Sequence, residues 1–329
     1  MSQAPELAGG SPPPQAAYDV DIIILTISRV TETIEAVSSA CRQTALDIHV
    51  TVLDQGSTEA EFQRLATGLQ GMARVSLYRS GVNLGVAGGR NFLAQKGNGK
   101  IIIGLDNDAV FATDNIAAKA SQKFADHPRL GALGFQILNA DGTALDESSW
   151  GYPQSLKPKC DGWFLTTSFV GAGHAIRRAA WQQASGYDAE LFFTWEEYDF
   201  CRRAIKAGWQ IGYDGALAVW HKAAASQRVS WQGARLEYFV RNRLIIARKW
   251  QEPQLLLKLG YLAKGLLAGR MIATLKAIMA GQRWKLAATQ SMPLAMQAYL
   301  QQHETSHRGS WWQRLQSELL RKPPSPASG

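Results

Sequence analysis

Cysteine is scarce in this chain. Three residues in 329, Cys41, Cys160 and Cys201, lie far apart with no C-x-x-C pair. That excludes a disulfide framework and a thiolate zinc site, and it fits a reducing compartment. Long apolar runs are also missing: none reaches the roughly 18 residues that a spanning helix needs. Residues 1–17 are a Pro/Ser/Ala/Gly stretch with neither a basic n-region nor an apolar h-region, and they are expected to be a disordered tail. The expected location is the cytoplasm. Aspartate is absent after Asp214, so chemistry needing an aspartate pair belongs to the first two thirds. A G-x-S-x-G elbow, a G-x-G-x-x-G turn after the first strand and a Walker lysine are all absent. Hydrolase-elbow, dinucleotide-fold and P-loop chemistry fall with them.

What is present is a globular composition, 46% hydrophobic and 19% charged, enough for one large domain plus an appendage. The formal charge of +8 is uneven. From Lys222 onward seventeen Lys and Arg face four Glu, a net +13, whereas the residues up to His221 carry eighteen basic against twenty-three acidic groups, a net −5. The basic third calls for an anionic surface or an anionic substrate.

Four short segments rich in apolar or β-branched residues, 20–26, 48–53, 75–78 and 101–105, start 26 to 28 residues apart, the spacing of βα units. The runs Ile22-Ile23-Ile24-Leu25 and Ile101-Ile102-Ile103 are continuous rather than alternating, as in strands buried on both faces of a parallel sheet. Helices are expected over 31–41 and 60–69, the second behind a Gly56-Ser57-Thr58 turn and cap. The fold class is α/β with a mostly parallel central sheet. Residues 130–173 read as strands and loops crossing it. Residues 194–208 read as a short helix with Thr194 as N-cap, Glu197 completing a capping box and Gly208 beyond its end. Helical stretches over 234–250 and 255–280 then precede a Pro/Ser tail.

Polar clusters follow the strands: Ser28-Arg29, Asp54-Gln55-Gly56-Ser57 and Asp106-Asn107-Asp108. Ligands of open α/β sheets bind outside the carboxyl ends of the strands, so these clusters are expected to face one site. Asp106 and Asp108 suit Mg²⁺ or Mn²⁺, although Asp and Asn also make ordinary strand-ending turns. Asp54 reads either as an acceptor for a nucleobase or ribose, with Gly56 permitting close approach, or as part of a turn with a helix cap. Asn83 to Asn91 reads as a Gly-rich turn carrying Arg90, a partner for a diphosphate. Trp195-Glu196-Glu197-Tyr198-Asp199 packs three carboxylates into the first turn of a helix. They are either caps favoured by the helix dipole, worth about 0.3–1 kcal/mol each, or a general base with acceptor-binding neighbours. His221, behind apolar residues 216–220, by itself reads more often as a satisfied polar residue than as a ligand.

Taken in order, Thr26-Ile27-Ser28-Arg29, residues 53–58, residues 83–91, Leu105-Asp106-Asn107-Asp108, Gly171-Ala172-Gly173, residues 195–201 and Val219-Trp220-His221 resemble family 2 glycosyltransferases of the GT-A fold. The resemblance runs from about residue 18 to about residue 250, and is nearest to the rhamnosyltransferase and galactofuranosyltransferase branch, whose acidic motif reads Trp, two acids, any residue, acid. It implies a GT-A catalytic domain over 18–229 and a basic helical region with a disordered tail over 230–329. It further implies an inverting, metal-dependent transfer of a sugar from a UDP- or dTDP-sugar, such as rhamnose or galactofuranose, to a hydroxyl of a glycan or lipid-linked acceptor in cell-surface polysaccharide synthesis. Thr26, Ser28, Arg29, Asp54, Asn83, Arg90, Asp106 and Asn107 would then bind the donor. Asp106, Asp108 and His221 would hold Mg²⁺ or Mn²⁺, Glu197 would be the general base, and Gly171, Trp195, Glu196 and Asp199 would shape the acceptor pocket. Gln55 stands where many relatives have a second Asp, and Ile27-Ser28 where they have Tyr-Asn, both on the base-reading side.

Residues 255–281 are apolar with Lys258, Lys264, Arg270 and Lys276 at intervals of six, which spreads the charges over three faces of one continuous helix. Two readings follow: peripheral attachment to an anionic membrane surface, or a solvated basic cap. Nucleic acid is not an expected partner, because no recognition motif accompanies the charge. The rival functions are a sugar-nucleotide pyrophosphorylase, which would place a basic Gly-rich loop after the first strand where Ile27-Ser28-Arg29-Val30-Thr31 stands, and a non-catalytic protein that binds a glycan or nucleotide sugar.

Overall fold

The computed structural model describes residues 4–44, 47–222 and 233–309. Its ten strands are β1 (Glu6–Gly10), β2 (Tyr18–Thr26), β3 (Ile48–Asp54), β4 (Val75–Arg79), β5 (Gly99–Asp106), β6 (Ala109–Phe111), β7 (Leu130–Leu138), β8 (Trp163–Thr166), β9 (Gly173–Arg177) and β10 (Gln210–His221). They form one sheet in the order β1-β4-β3-β2-β5-β9-β7-β10-β6, with β8 also on β10. The four strands read from the sequence are β2 to β5, mutually parallel. Strand β9 enters antiparallel between β5 and β7, and β10 runs parallel to β7.

The helices are α1 (Val30–Cys41), α2 (Glu59–Leu69), α3 (Gly85–Lys96), α4 (Ile116–Asp126), α5 (Arg178–Gln183), α6 (Glu196–Lys206), α7 (Gly233–Lys249), α8 (Leu255–Leu267), α9 (Met271–Arg283) and α10 (Leu294–His303). Two cores separate on the faces of the sheet. Val20, Ile22 and Ile24 pack with residues of α1, α2 and α4, while Ile23 turns to the side of α3, α5, α6 and α7. Side chains alternate along a strand, so burial on both faces requires the continuous apolar run. Further core forms where Tyr261 of α8 and Ala277 of α9 meet Leu236, Val240 and Leu244 of α7.

Two expectations change. Within the segment expected to be a disordered tail, Glu6–Gly10 forms β1, antiparallel to β4. Strand pairing there uses backbone groups that would otherwise form an open sheet edge, so the apolar alternation sought in the sequence is not required; residues 1–3 lie outside the described residues. The stretch 255–280 is two helices, broken at Gly269, whose φ of +66° glycine adopts without steric cost. The tail beyond residue 309 and the boundary at 229–230 fall outside the described residues.

Sheet register positions the site. Thr26 lies opposite Asp54, and Leu25 opposite Asp106. Three polar strand ends on neighbouring parallel strands are therefore level. Strand β10 serves two neighbours in turn: Ile211 to Asp214 pair with β8, and after an irregularity between Asp214 and Ala218 its end pairs with β6.

Candidate active site

His221 is brought to the acidic turn by this last pairing. It sits opposite Ala109, the residue after Asp108, and Lys222 N donates to the Asp108 carbonyl at 2.7 Å. Ligand atoms of Asp106, Asp108 and His221 lie within 4.8 Å of one another. Two carboxylates and an imidazole form a donor set that can hold a divalent metal ion, so the residues fit a metal site. His221 Nε2 is 3.5 Å from Asp108 Oδ1, and its Nδ1 is 3.4 Å from Asp146 Oδ2. Burial lowers the imidazole pKa, but Asp108 and Asp146 outweigh it and push it up to about 10. Burial raises Asp108 in turn, and His221 and Arg29 reverse this to about 2.

Asp146 was not anticipated. Its side chain accepts from Ser148 N at 3.1 Å, Ser148 Oγ at 2.7 Å and Ser149 Oγ at 2.7 Å. Locally this is an Asp-x-Ser turn, and nothing in the sequence says that it faces a histidine 75 positions on.

Arg90 lies inside α3 rather than in an open turn, which corrects the reading of residues 83–91. The first donors of α3 are already used: Asn83 Oδ1 accepts from Gly85 N at 2.8 Å, and the Phe192 carbonyl accepts from Val86 N at 2.7 Å. A diphosphate is thus not met by a Gly-rich loop. Arg90, only 4% exposed, donates to Glu197 Oε1 and Asp106 Oδ1 at 2.8 Å each and to the Gly171 carbonyl at 2.9 Å. One guanidinium thereby ties the first aspartate of the acidic turn to the carboxylate expected to be the base. Burial lowers the Arg90 pKa, but Asp106 and Glu197 outweigh it and hold the group charged.

Glu197 reaches Arg90 because the chain before α6 is not a standard helix entry. Phe192, Thr194 and Trp195 have φ of 63°, 68° and 70°, each costing of order 1–3 kcal/mol for a residue other than glycine. Trp195 is the N-cap and makes no side-chain capping bond. The capping-box reading of Thr194 and Glu197 is overturned, since Glu197 is occupied by Arg90. The turn is held by Asn242 of α7, fully buried, whose Nδ2 donates to the carbonyls of Leu191 and Phe193 at 2.8 Å and of Thr194 at 3.0 Å. Sequence reading missed Asn242 because one polar residue in an apolar helix carries no signal of what it faces.

Burial raises the Glu197 carboxyl above the usual glutamate range, with Arg90 opposing. Glu196 is raised well above it by burial and by Glu197. Gly171 leaves the space that Glu197 fills: a Cβ there would overlap Glu197 Oε1. Gly171→Ala is therefore expected to displace the carboxylate and lower kcat by roughly ten- to a hundredfold, since misplacement of a reacting group by about 1 Å costs on that order. A Tm within a few degrees of wild type, read beside the kinetics, separates this from unfolding.

Other expected site residues are placed differently. Asp199 is fully buried, 2.9 Å from both Arg203 and Lys249, so it joins α6 to α7 and faces no acceptor. Trp195 Nε1 donates to the Phe239 carbonyl at 2.9 Å, and its ring is half-buried. Arg29, expected among the donor-binding residues, reaches Asp108 at 2.6 Å. Thr26 and Asp54 are buried: Thr26 Oγ1 donates to the Ser28 carbonyl at 2.9 Å and accepts from Asn107 Nδ2 at 3.1 Å, and Asp54 accepts from Ser57. They shape the turn after β2, where Ser28 and Arg29 have φ of 56° and 54°.

The family described as Glycosyl transferase family 2 matches residues 21–183. An uncharacterized protein of Haemophilus influenzae is 29% identical over 169 residues, 48% of this chain and 86% of that one. Mannosyltransferase PcManGT from Pyrobaculum calidifontis, solved with GDP-Man and Mn²⁺, is 17% identical with a TM-score of 0.55, covering 95% of this chain and 88% of that chain. GalNAc-T7, solved with UDP, GalNAc and Mn²⁺, is 15% identical with a TM-score of 0.57, over 72% of this chain; the match spans 49% of the GalNAc-T7 chain. At these identities the two structures speak to the fold, which is GT-A. The chain carries a glycosyl transferase family 2 domain, and the class of enzyme is glycosyltransferase. Glu197 and His221 lie beyond the matched residues, so their place rests on the geometry above.

Proposed function

We propose that the chain is an inverting, metal-dependent glycosyltransferase that moves a sugar from a nucleotide-diphosphate donor to a hydroxyl of a glycan or lipid-linked acceptor. The observation that carries this reading is Arg90, bonded at once to Asp106 of the trio Asp106, Asp108 and His221 and to Glu197. A bound Mg²⁺ or Mn²⁺ would supply positive charge against the diphosphate as it leaves. The remaining work belongs to side chains. Glu197 takes the proton of the acceptor hydroxyl as its oxygen bonds to the anomeric carbon, and the bond from that carbon to the diphosphate breaks with its electron pair on the leaving oxygen. Arg90 ties Glu197 to the acidic turn, and Gly171 leaves it room.

UDP- and dTDP-sugars are the proposed donors, with rhamnose and galactofuranose as candidate sugars for cell-surface polysaccharide. Neighbours of the same fold that were solved with GDP-Man or UDP put both purine and pyrimidine donors in the test. Nucleotide release from UDP-, dTDP- and GDP-sugars, with and without Mn²⁺ or Mg²⁺, is expected to show metal-dependent turnover of one donor. Absence of binding and turnover for every donor, with lipid-linked acceptors supplied, would overturn the proposal.

A further inference from the structure

Large apolar side chains are left exposed in one place above all. Of the thirteen such residues among the described residues, eight lie on α8 and α9. On α8 the inner face is marked by Tyr261 and Gly265, both buried, whereas Leu255, Leu256, Leu259, Leu266 and Leu267 are each more than half exposed. At about 100° per residue these five leucines fall within an arc of roughly 120° centred opposite Tyr261. On α9 the buried residues are Thr274, Ala277 and Gly281, and exposed Ile272, Leu275 and Met279 form a stripe on the other side. The lysine spacing that spoils a single continuous amphipathic helix is thus resolved by the break at Gly269. Each short helix has an inner apolar face for α7 and an outer one for something else.

We infer that the outer face of α8 and α9 docks the enzyme on an anionic lipid bilayer. Charge selects this occupant. Residues 255–283 contain Lys258, Lys264, Arg270, Lys276 and Arg283 and no Asp or Glu. By the same helical geometry Lys258 and Lys264 sit on the two flanks of the leucine arc, where a helix lying in the interface meets phosphate groups while its apolar face enters the acyl boundary. Among the described residues no helix is long and apolar enough to cross a membrane, and 13 residues per helix permit only lying in the plane. Position relative to the site fits a lipid-borne acceptor. The Trp195 ring, beside Glu196 and Glu197, contacts Phe239 of α7 at 5.0 Å between centroids, and Phe239 contacts Tyr261 of α8 at 6.2 Å. The docked face lies one helix behind the proposed acceptor side; that the acceptor is lipid-linked rests on the proposed reaction, whereas the docking surface itself does not.

The test is cosedimentation of the full chain with phosphatidylcholine vesicles with and without phosphatidylglycerol, at low and high salt. Wild type is expected to bind the anionic vesicles at low salt and to release at high salt. The variant Leu256→Glu/Leu267→Glu/Ile272→Glu is expected to bind at least about tenfold more weakly, because it removes apolar insertion and adds like charge. Lys258→Gln/Lys276→Gln is expected to lose the preference for anionic vesicles. Unchanged circular dichroism and donor turnover in the variants show that they fold. Equal binding by wild type and the triple variant, or no binding at low salt, overturns the inference. So does a wild-type dimer that the triple variant converts to a monomer without lipid binding, which assigns the face to a second copy of the chain. Vesicle binding without turnover of any donor keeps the surface and removes the proposed reaction; turnover without vesicle binding does the reverse.

Discussion

Glu197→Gln is expected to lower kcat by roughly 10²- to 10⁴-fold, the range general-base catalysis supplies, with donor affinity almost unchanged. Glutamine keeps the shape of the side chain and an Oε1 that accepts from Arg90 Nη1, now 2.8 Å from the carboxylate. What it loses is the ability to take a proton. The wild-type pH profile provides a second readout. Burial raises the Glu197 carboxyl, and only the ionised form is a base, so kcat/KM should fall as pH drops, with an apparent midpoint above the ordinary glutamate range. That acid limb should vanish from the residual activity of the glutamine variant. Steady-state kinetics across pH, with donor binding by calorimetry, decide the matter. Wild-type kcat in the variant would show that Glu197 only partners Arg90 and that the base lies elsewhere.

Asp108→Ala is expected to abolish metal-stimulated turnover, a loss of about 10³-fold or more if the ion contributes several kcal/mol to the transition state. Asp108 is the shared partner of His221 and Arg29, so its removal deletes one of the three proposed ligands and leaves the Arg29 guanidinium without its carboxylate beside the place where the ion would sit. Mn²⁺ binding followed by electron paramagnetic resonance should weaken in parallel with activity. Metal binding at wild-type affinity would remove Asp108 from the ligand set and leave Asp106 and His221 with a different third partner. Because Arg29 and His221 would lose their common carboxylate, thermal stability without metal should also fall, and the two readouts are separable.

The sheet and the acidic turn were legible because they are local. Ile22 to Leu25 and Ile101 to Ile103 are buried on both faces, a condition that appears directly as unbroken apolar sequence. Asp106 ends β5 three residues after the second run and Asp108 lies two residues beyond it, so their place at the end of that strand required no knowledge of any other element. Strand β1 was hidden for the opposite reason, since Glu6–Gly10 is held by backbone pairing to β4 and three of its five residues are Gly or Ala. Arg90 was seen but misplaced: Gly85, Gly88 and Gly89 resemble a phosphate turn, yet Phe192, a hundred positions away, supplies the carbonyl that completes the start of α3.

Glu197 shows where sequence reading ends. Both of its uses, helix cap or base, are compatible with Thr194-Trp195-Glu196-Glu197, and the choice depends on three residues held at positive φ by Asn242 from another helix. Asp199 is equally ambiguous until Arg203 and Lys249 close on it. The leucines of α8 and α9 look in sequence like core, and only the packing of Tyr261 and Ala277 onto α7 reveals which apolar face remains outside. Sequence alone thus determined the α/β class, the parallel strands, the acidic turn and the basic last third, because periodicity and composition act over a few neighbouring residues. Tertiary structure alone decided which carboxylate meets Arg90, which aspartate supports His221 and which leucines face outward, because those outcomes depend on contacts between residues far apart in the chain.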